Sequence, residues 1–167
     1  MALYGCTLWD ISGKKVEQFY VTWRKCVRRL LNLPNRSHGK YLSKIVDENQ
    51  VDVQIHLRIL TFMLQIKDSS NPILRLCSKL VFNGSNSDVC KSLNFILWKY
   101  GIADFKVKEI TYFTVRNIIN GFVGNNYSEE DYLCVSNIKD LLVLRENKQN
   151  NFSNDDVMQM LEYFCVK

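Results

Sequence analysis

Between Lys14 and Lys44 the chain sets nine lysines and arginines against a single acid, Glu17, while the remaining residues carry thirteen bases against sixteen acids. The modest formal charge of +5 is therefore concentrated in one segment near the N-terminus. Positive charge grouped in this way attracts a polyanion rather than making a protein generally adhesive. The candidate phosphate contacts are Lys14, Lys15, Arg24, Lys25, Arg28 and Arg29, followed by Arg36 and Lys40 in the basic loop NRSHGK. Part of the cluster also has a structural explanation. Arg28 and Arg29 fall in the last turn of the helix expected here, where cations offset the negative end of the dipole by about 0.3–1 kcal/mol. Lys14 and Lys15 sit at the opposite end and work against that dipole, so they need another reason.

Other chemistries find less support. Zinc sites need clustered cysteine, histidine or carboxylate ligands at set spacings, and neither Cys-x-x-Cys nor His-x-x-x-His occurs. No metal ligand set and no cofactor are expected. The two histidines are His38, in the basic loop, and His56, within an apolar stretch that reads as helix. No nucleophile lies in a recognisable elbow, and no catalytic residue is assigned. The segment NGSNS from Asn83 lacks the repeated-glycine or Gly-Lys-Ser pattern of a phosphate loop and reads as a turn between helices. The acids at Glu129 to Asp131 and at Asp155 and Asp156 fit first helical turns, where carboxylates favour the dipole.

The elements that must position the cationic residues are helical. Along KKVEQFYVTWRKCVRRLLNLP, at about 100° per residue, Val16, Phe19, Tyr20, Trp23, Val27, Leu30 and Leu31 form one apolar stripe with the cations opposite. Trp23 and Tyr20 suit packing in that stripe better than stacking on bases. The segment Tyr4 to Asp10 is expected to pack back on this helix, which Leu33 and Pro34 should end. A short helix with Tyr41, Leu42 and Ile45 inward follows. Asp52 is expected to cap the next, which turns Ile55, Ile59, Phe62, Met63 and Ile66 to one side. Asn71 and Pro72 open a helix expected to bury Ile73, Leu76, Cys77, Leu80 and Val81 and to stop at Asn83 and Gly84. Ser87 and Asp88 open another, with Val89, Leu93, Ile96, Leu97 and Tyr100 inward and Gly101 closing it. A weaker helix is expected over Val107 to Asn120. Ser128 with Asp131 three residues on resembles a capping box, and Ser153 or Asn154 caps a last helix with Val157, Met160, Leu161 and Phe164 inward.

The fold class is thus all-α, an irregular bundle of about seven helices. Residues 1–100 read as one helical region and 101–167 as a helical extension packed with it as one domain. No apolar run is long enough to span a membrane. With no charged segment, apolar run and cleavage site at the N-terminus, an intracellular location, nuclear or cytoplasmic and not secretory, is expected. The six cysteines then read as small buried hydrophobes rather than disulfides, and the sequons at Asn35, Asn83, Asn126 and Asn151 carry no weight.

The succession YGCTLWD, FYVTWRKCVRRLLNLP with a following SH, DVQIHLRILTFM, NPILRLCSKL and SDVCKSLNFI resembles the region after the polymerase core in reverse transcriptases of non-LTR (LINE-type) retrotransposons. The likeness covers residues 2–97 and weakens beyond Tyr100. It implies a helical thumb and adjoining tail that hold a template-primer duplex, with Trp23, Arg24, Lys25, Arg28 and Arg29 on the thumb helix. The family's catalytic carboxylates, in a Tyr/Phe-Ala-Asp-Asp segment, would lie upstream of Met1. The chain on its own is therefore expected to be no enzyme, since two-metal nucleotidyl transfer needs those carboxylates. The resemblance implies an RNA or DNA backbone as partner, together with a polymerase core or host protein. The rival expectation is a helical interaction module or orphaned remnant without nucleic-acid binding, whose stripe near Tyr4, Trp9 and Phe19 meets another protein.

Overall fold

The computed structural model describes residues 3, 5–46, 50–83, 86–102, 111–124, 127–147 and 154–166. Among them are eight α-helices, one short 3-10 turn at Cys6–Leu8 and no strand, so the all-α expectation holds. The chain divides into two compact units, one built from Met1–Gln18 and Val51–Gly124, the other from Phe19–Gln50 and Asn125–Lys167. Helix α1, Lys14–Leu30, contributes its first residues to the first unit and the rest to the second.

The first unit is organised around α3, Val51–Lys67. Its apolar residues run round the whole helix rather than along one stripe, and a helix of that kind must be covered on most sides. Ile55, Ile59, Leu60 and Met63 are accordingly sealed from solvent, and Phe62 and Ile66 are half-buried. Helices α4 (Pro72–Phe82), α5 (Asp88–Lys99) and α6 (Tyr112–Gly124) and the 3-10 turn all pack on α3. The N-terminal turn packs on α3 and α5, fixed in part by Ser92. The Ser92 hydroxyl donates to the Trp9 carbonyl at 2.8 Å and accepts from the Ile11 amide at 3.1 Å. Tyr4 and Gly84 lie outside the described residues, as does the start of the helix expected from Val107.

Local chemistry sets the helix ends where the residue types placed them. The Asn71 side chain accepts from the Ile73 amide at 2.9 Å with Pro72 in the first turn, and Ser87 caps α5 through the Cys90 amide. Gly101, at φ +64°, takes the left-handed position after α5, so that its amide reaches Trp98 and the Ile102 amide reaches Leu97. That is a Schellman closure, for which glycine lacks the Cβ penalty. In α5, Leu93, Ile96 and Tyr100 are buried as expected.

Helix α4 corrects the reading of its own stripe. Ile73, Leu76, Cys77 and Leu80, expected to face inward, are exposed, and the residue α4 buries is Ser78. Periodicity gives this helix one broad apolar side, but which side meets α3 is set by tertiary packing.

The second unit holds the rest of α1 with α2 (Gly39–Ile45), α7 (Glu129–Asn147) and α8 (Asn154–Val166). Leu33, Tyr41, Leu42, Ile45, Val135, Ile138, Leu141, Val157 and Leu161 form its core, with Val27, Leu31 and Phe164 packed on the margin. Leu30 is 84% exposed and Met160 faces solvent, against expectation. Leu30 is the last residue of α1, and the chain turns away directly after it. Ser153 lies outside the described residues. The cysteines described are all free thiols, with Cys6 and Cys90 buried and Cys26 and Cys77 exposed.

Candidate nucleic-acid interface

The cationic segment of the second unit begins with how α1 stops. Asn32 adopts φ +47°, a left-handed position that asparagine tolerates better than most residues, and the Asn32 and Leu33 amides return to the carbonyls of Arg29 and Arg28. This closure sends the chain through Pro34 to His38 back alongside the helix. Two arginines then hold the returning loop. Arg28 donates from Nε and Nη2 to the Ser37 carbonyl at 2.9 and 2.7 Å. The Arg24 stem packs close against Gly39 at the start of α2, where a Cβ would come within 2.8 Å of Arg24 Cδ and oblige that side chain to shift. Burial, and then the charge of Arg24, pull the Arg28 guanidinium below its ordinary value.

The eight candidate residues therefore separate by what they touch. Arg24 and Arg28 are half-buried; Arg28 ties the loop to α1 through the Ser37 carbonyl, and Arg24 packs against Gly39. Lys40 is engaged at 2.6 Å by Asp131 of α7. Lys25, Arg29 and Arg36 are exposed and make no ion pair among the described residues. Lys14 and Lys15 are exposed on the first turn of α1, in the first unit. Lysine and arginine heads left in water are the ones that can exchange counterions for a phosphate backbone at little structural cost.

Asp131 is the residue that charge counting overlooked. Its carboxylate accepts from Lys40, from the Tyr41 hydroxyl at 3.2 Å and from the Ser128 amide at 3.1 Å, and the Ser128 hydroxyl accepts from the Asp131 amide. The last two bonds are a reciprocal capping box with aspartate in the usual glutamate place. The Lys40 ammonium, ahead of the Ser128 amide, holds the carboxyl down at about 2. Replacing Asp131 by Ala is expected to cost about 1–2 kcal/mol, mostly through the cap, because Lys40 is well exposed and its pair is screened. The same change releases Lys40, so urea denaturation should show a loss of stability while any polyanion binding strengthens. A parallel fall in both would exclude Lys40 as a phosphate contact.

Two further features arise from residues far apart in sequence. Lys44 places its ammonium 4.9 Å from the Tyr127 ring centre and 5.4 Å from that of Tyr132, a cation–π contact with no sequence signal. Arg36, with Pro34 and Asn35, borders a cleft of about 370 Å³ whose other wall is Glu162 and Tyr163 of α8. Among the described residues no group of histidine, cysteine or carboxylate side chains could hold a metal ion, and no helix is long and apolar enough to cross a membrane.

No family model, curated protein or solved structure matches this chain. The likeness to non-LTR reverse transcriptases thus rests on the chain's own segments.

Proposed function

We propose that this chain binds the sugar-phosphate backbone of nucleic acid without catalysing a reaction, as the thumb-like part of a non-LTR reverse transcriptase. The observation that carries the proposal is the division of labour among its cations: Arg28 is bonded to the loop and Arg24 packs beneath it, whereas Lys25, Arg29 and Arg36 are presented to solvent. A surface of this type positions a duplex through phosphates and carries little base information. An RNA–DNA hybrid is the natural substrate to try, because a thumb holds the template with its primer.

The test is fluorescence anisotropy of a labelled hybrid titrated with protein at several salt concentrations. Lys25, Arg29 and Arg36 changed together to Glu leave the loop clamp and the Lys40 pair intact. Wild-type log affinity should fall steeply with log salt, and removing these three contacts should make the slope shallower by about 3. Circular dichroism should show the variant as folded as the wild type. If the wild type fails to bind at low salt, or the folded variant binds equally well, the reading is wrong, and a helical interaction module without nucleic-acid binding takes its place.

A further inference from the structure

Helix α4 of the first unit turns an apolar seam toward solvent. Ile73 is 68% exposed, Leu76 58% and Leu80 57%, and Cys77 is exposed with them. Their spacing is i, i+3, i+4, i+7, the row through which one helix meets another. The inner side of the helix carries Ser78, buried, with Val81 and Phe82 half-buried. The neighbouring helices bury part of their apolar surface, α5 through Leu93 and Ile96 and α6 through Val115 and Ile119, although Trp98 of α5 and Phe113 of α6 are also exposed. Scattered apolar residues on a surface need no explanation, but a contiguous row of this kind marks an interaction site.

Charge indicates what covers it. Arg75 and Lys79 stand one turn apart along one edge of the seam, both exposed, and neither has an ion-pair partner among the described residues. The helix from Pro72 to Phe82 contains no acid. A second α4 laid antiparallel against the first would bring like charges together along one flank, which opposes that mode of self-pairing. A membrane surface is served by cations on both borders of an apolar face with bulky aromatics at its centre. Here the cations occupy one border, and the seam is aliphatic and narrow. We propose that the outward face of α4 docks an amphipathic helix of another protein, one whose apolar row meets Ile73, Leu76 and Leu80 and whose flanking acids meet Arg75 and Lys79. This seam lies on the first unit and does not depend on the nucleic-acid reading.

The probe is a pair of synthetic helical peptides of about three heptads with leucine at a and d, one with glutamate at e and g and one with lysine there. Anisotropy of each labelled peptide is followed as the full chain is added. The acidic peptide should bind at least about tenfold more tightly than its basic twin, a margin that complementary rim charges supply. Leu76→Ser with Leu80→Ser should abolish that binding, and Arg75→Glu with Lys79→Glu should reverse the preference. All four positions are exposed, so melting curves should match the wild type and confirm that both variants fold. Equal binding of the two peptides, or none, overturns the proposal. So does sedimentation showing a dimer that Leu76→Ser with Leu80→Ser dissolves, since the occupant would then be a second copy. Binding to vesicles of anionic lipid that the same variant loses, without peptide binding, would assign the face to a membrane instead.

Discussion

Acidification from about pH 7 to about pH 4 is expected to cost the first unit on the order of 3 kcal/mol through one side chain, His56. The ring is buried on α3, shares a 2.8 Å hydrogen bond through Nδ1 with the Tyr100 hydroxyl, and lies edge-on to the rings of Tyr100 and Phe95. Burial, followed by the charge of Lys99, pushes its pKa down to about 4, and Asp52, bonded to Lys99 at 3.5 Å, opposes that only in part. Above the unfolded value of about 6.5 the ring is neutral in both states, so the full stability is present. As the pH falls below that value, the unfolded chain takes up a proton that the folded ring refuses. Stability then declines by about 1.4 kcal/mol per pH unit until the folded ring also titrates near 4. Urea midpoints at several pH values, followed for wild type and His56→Gln, check this. The glutamine variant keeps a polar group facing Tyr100 and should lose the slope in this window. Equal slopes in the two proteins would rule out His56 as the cause. The Asp131 carboxylate, held at about 2, loses its contribution only at lower pH, as the pH falls from about 4 toward that value, so the two effects are separable.

The same helix shows what was legible in the sequence. Periodicity identified α3, α4 and α5, and cap chemistry identified the ends of α4 and α5, because Asn71, Ser87 and Gly101 act within one turn of the residues they serve; Asp52, expected to cap α3, lies within its first turn. The direction a helix faces is a tertiary property. In α5 the side carrying Leu93 and Ile96 is the buried one, as periodicity indicated, although Trp98 lies exposed on another side. In α4 periodicity favoured one broad apolar side, and its Ile73, Leu76 and Leu80 face water, because the approach to α3 and not the pattern decides which side is covered. The inward placement of His56 was equally hidden, because its partner Tyr100 lies at the end of α5, 44 residues away in sequence.

The cationic segment divides along similar lines. Its density was plain from composition, and the Ser128–Asp131 box was visible from spacing alone. Which cations are committed was not, because Arg28 is held by the Ser37 carbonyl, a group with no charge to count, and Arg24 lies packed against Gly39. The left-handed turn at Asn32 brings those groups back, and an asparagine in that place is a weak signal until the two returning amides are seen. Lys40 met its partner on α7 in a contact across most of the chain, beyond any local pattern.

Truncating Ile138 to Ala should destabilise the second unit by about 2–5 kcal/mol, the usual cost of lost transfer energy plus a cavity at a sealed site. Ile138 is wholly buried on α7 in the cluster that Leu42 and Ile45 of α2 and Leu161 of α8 complete. Leu133, on the same helix but largely exposed, serves as control, and Leu133→Ala should stay within about 0.5 kcal/mol. Thermal melts of the two variants measure the contrast, and similar losses would show that this cluster is not the core of the unit. The substitution also tests how the cationic face depends on that core. Val27 of α1 and Leu31 just after it pack against the cluster that contains Ile138, so the core beneath them helps to set where Arg28 and its loop sit. Below its lowered melting temperature, Ile138→Ala should keep the wild-type affinity for the hybrid, and the affinity should fall only as the folded fraction falls. Charge reversal at Lys25, Arg29 and Arg36 should do the opposite, leaving the melt in place and removing the binding. Opposite outcomes from a buried methyl group and an exposed charge would separate the packing that builds the surface from the electrostatics that use it.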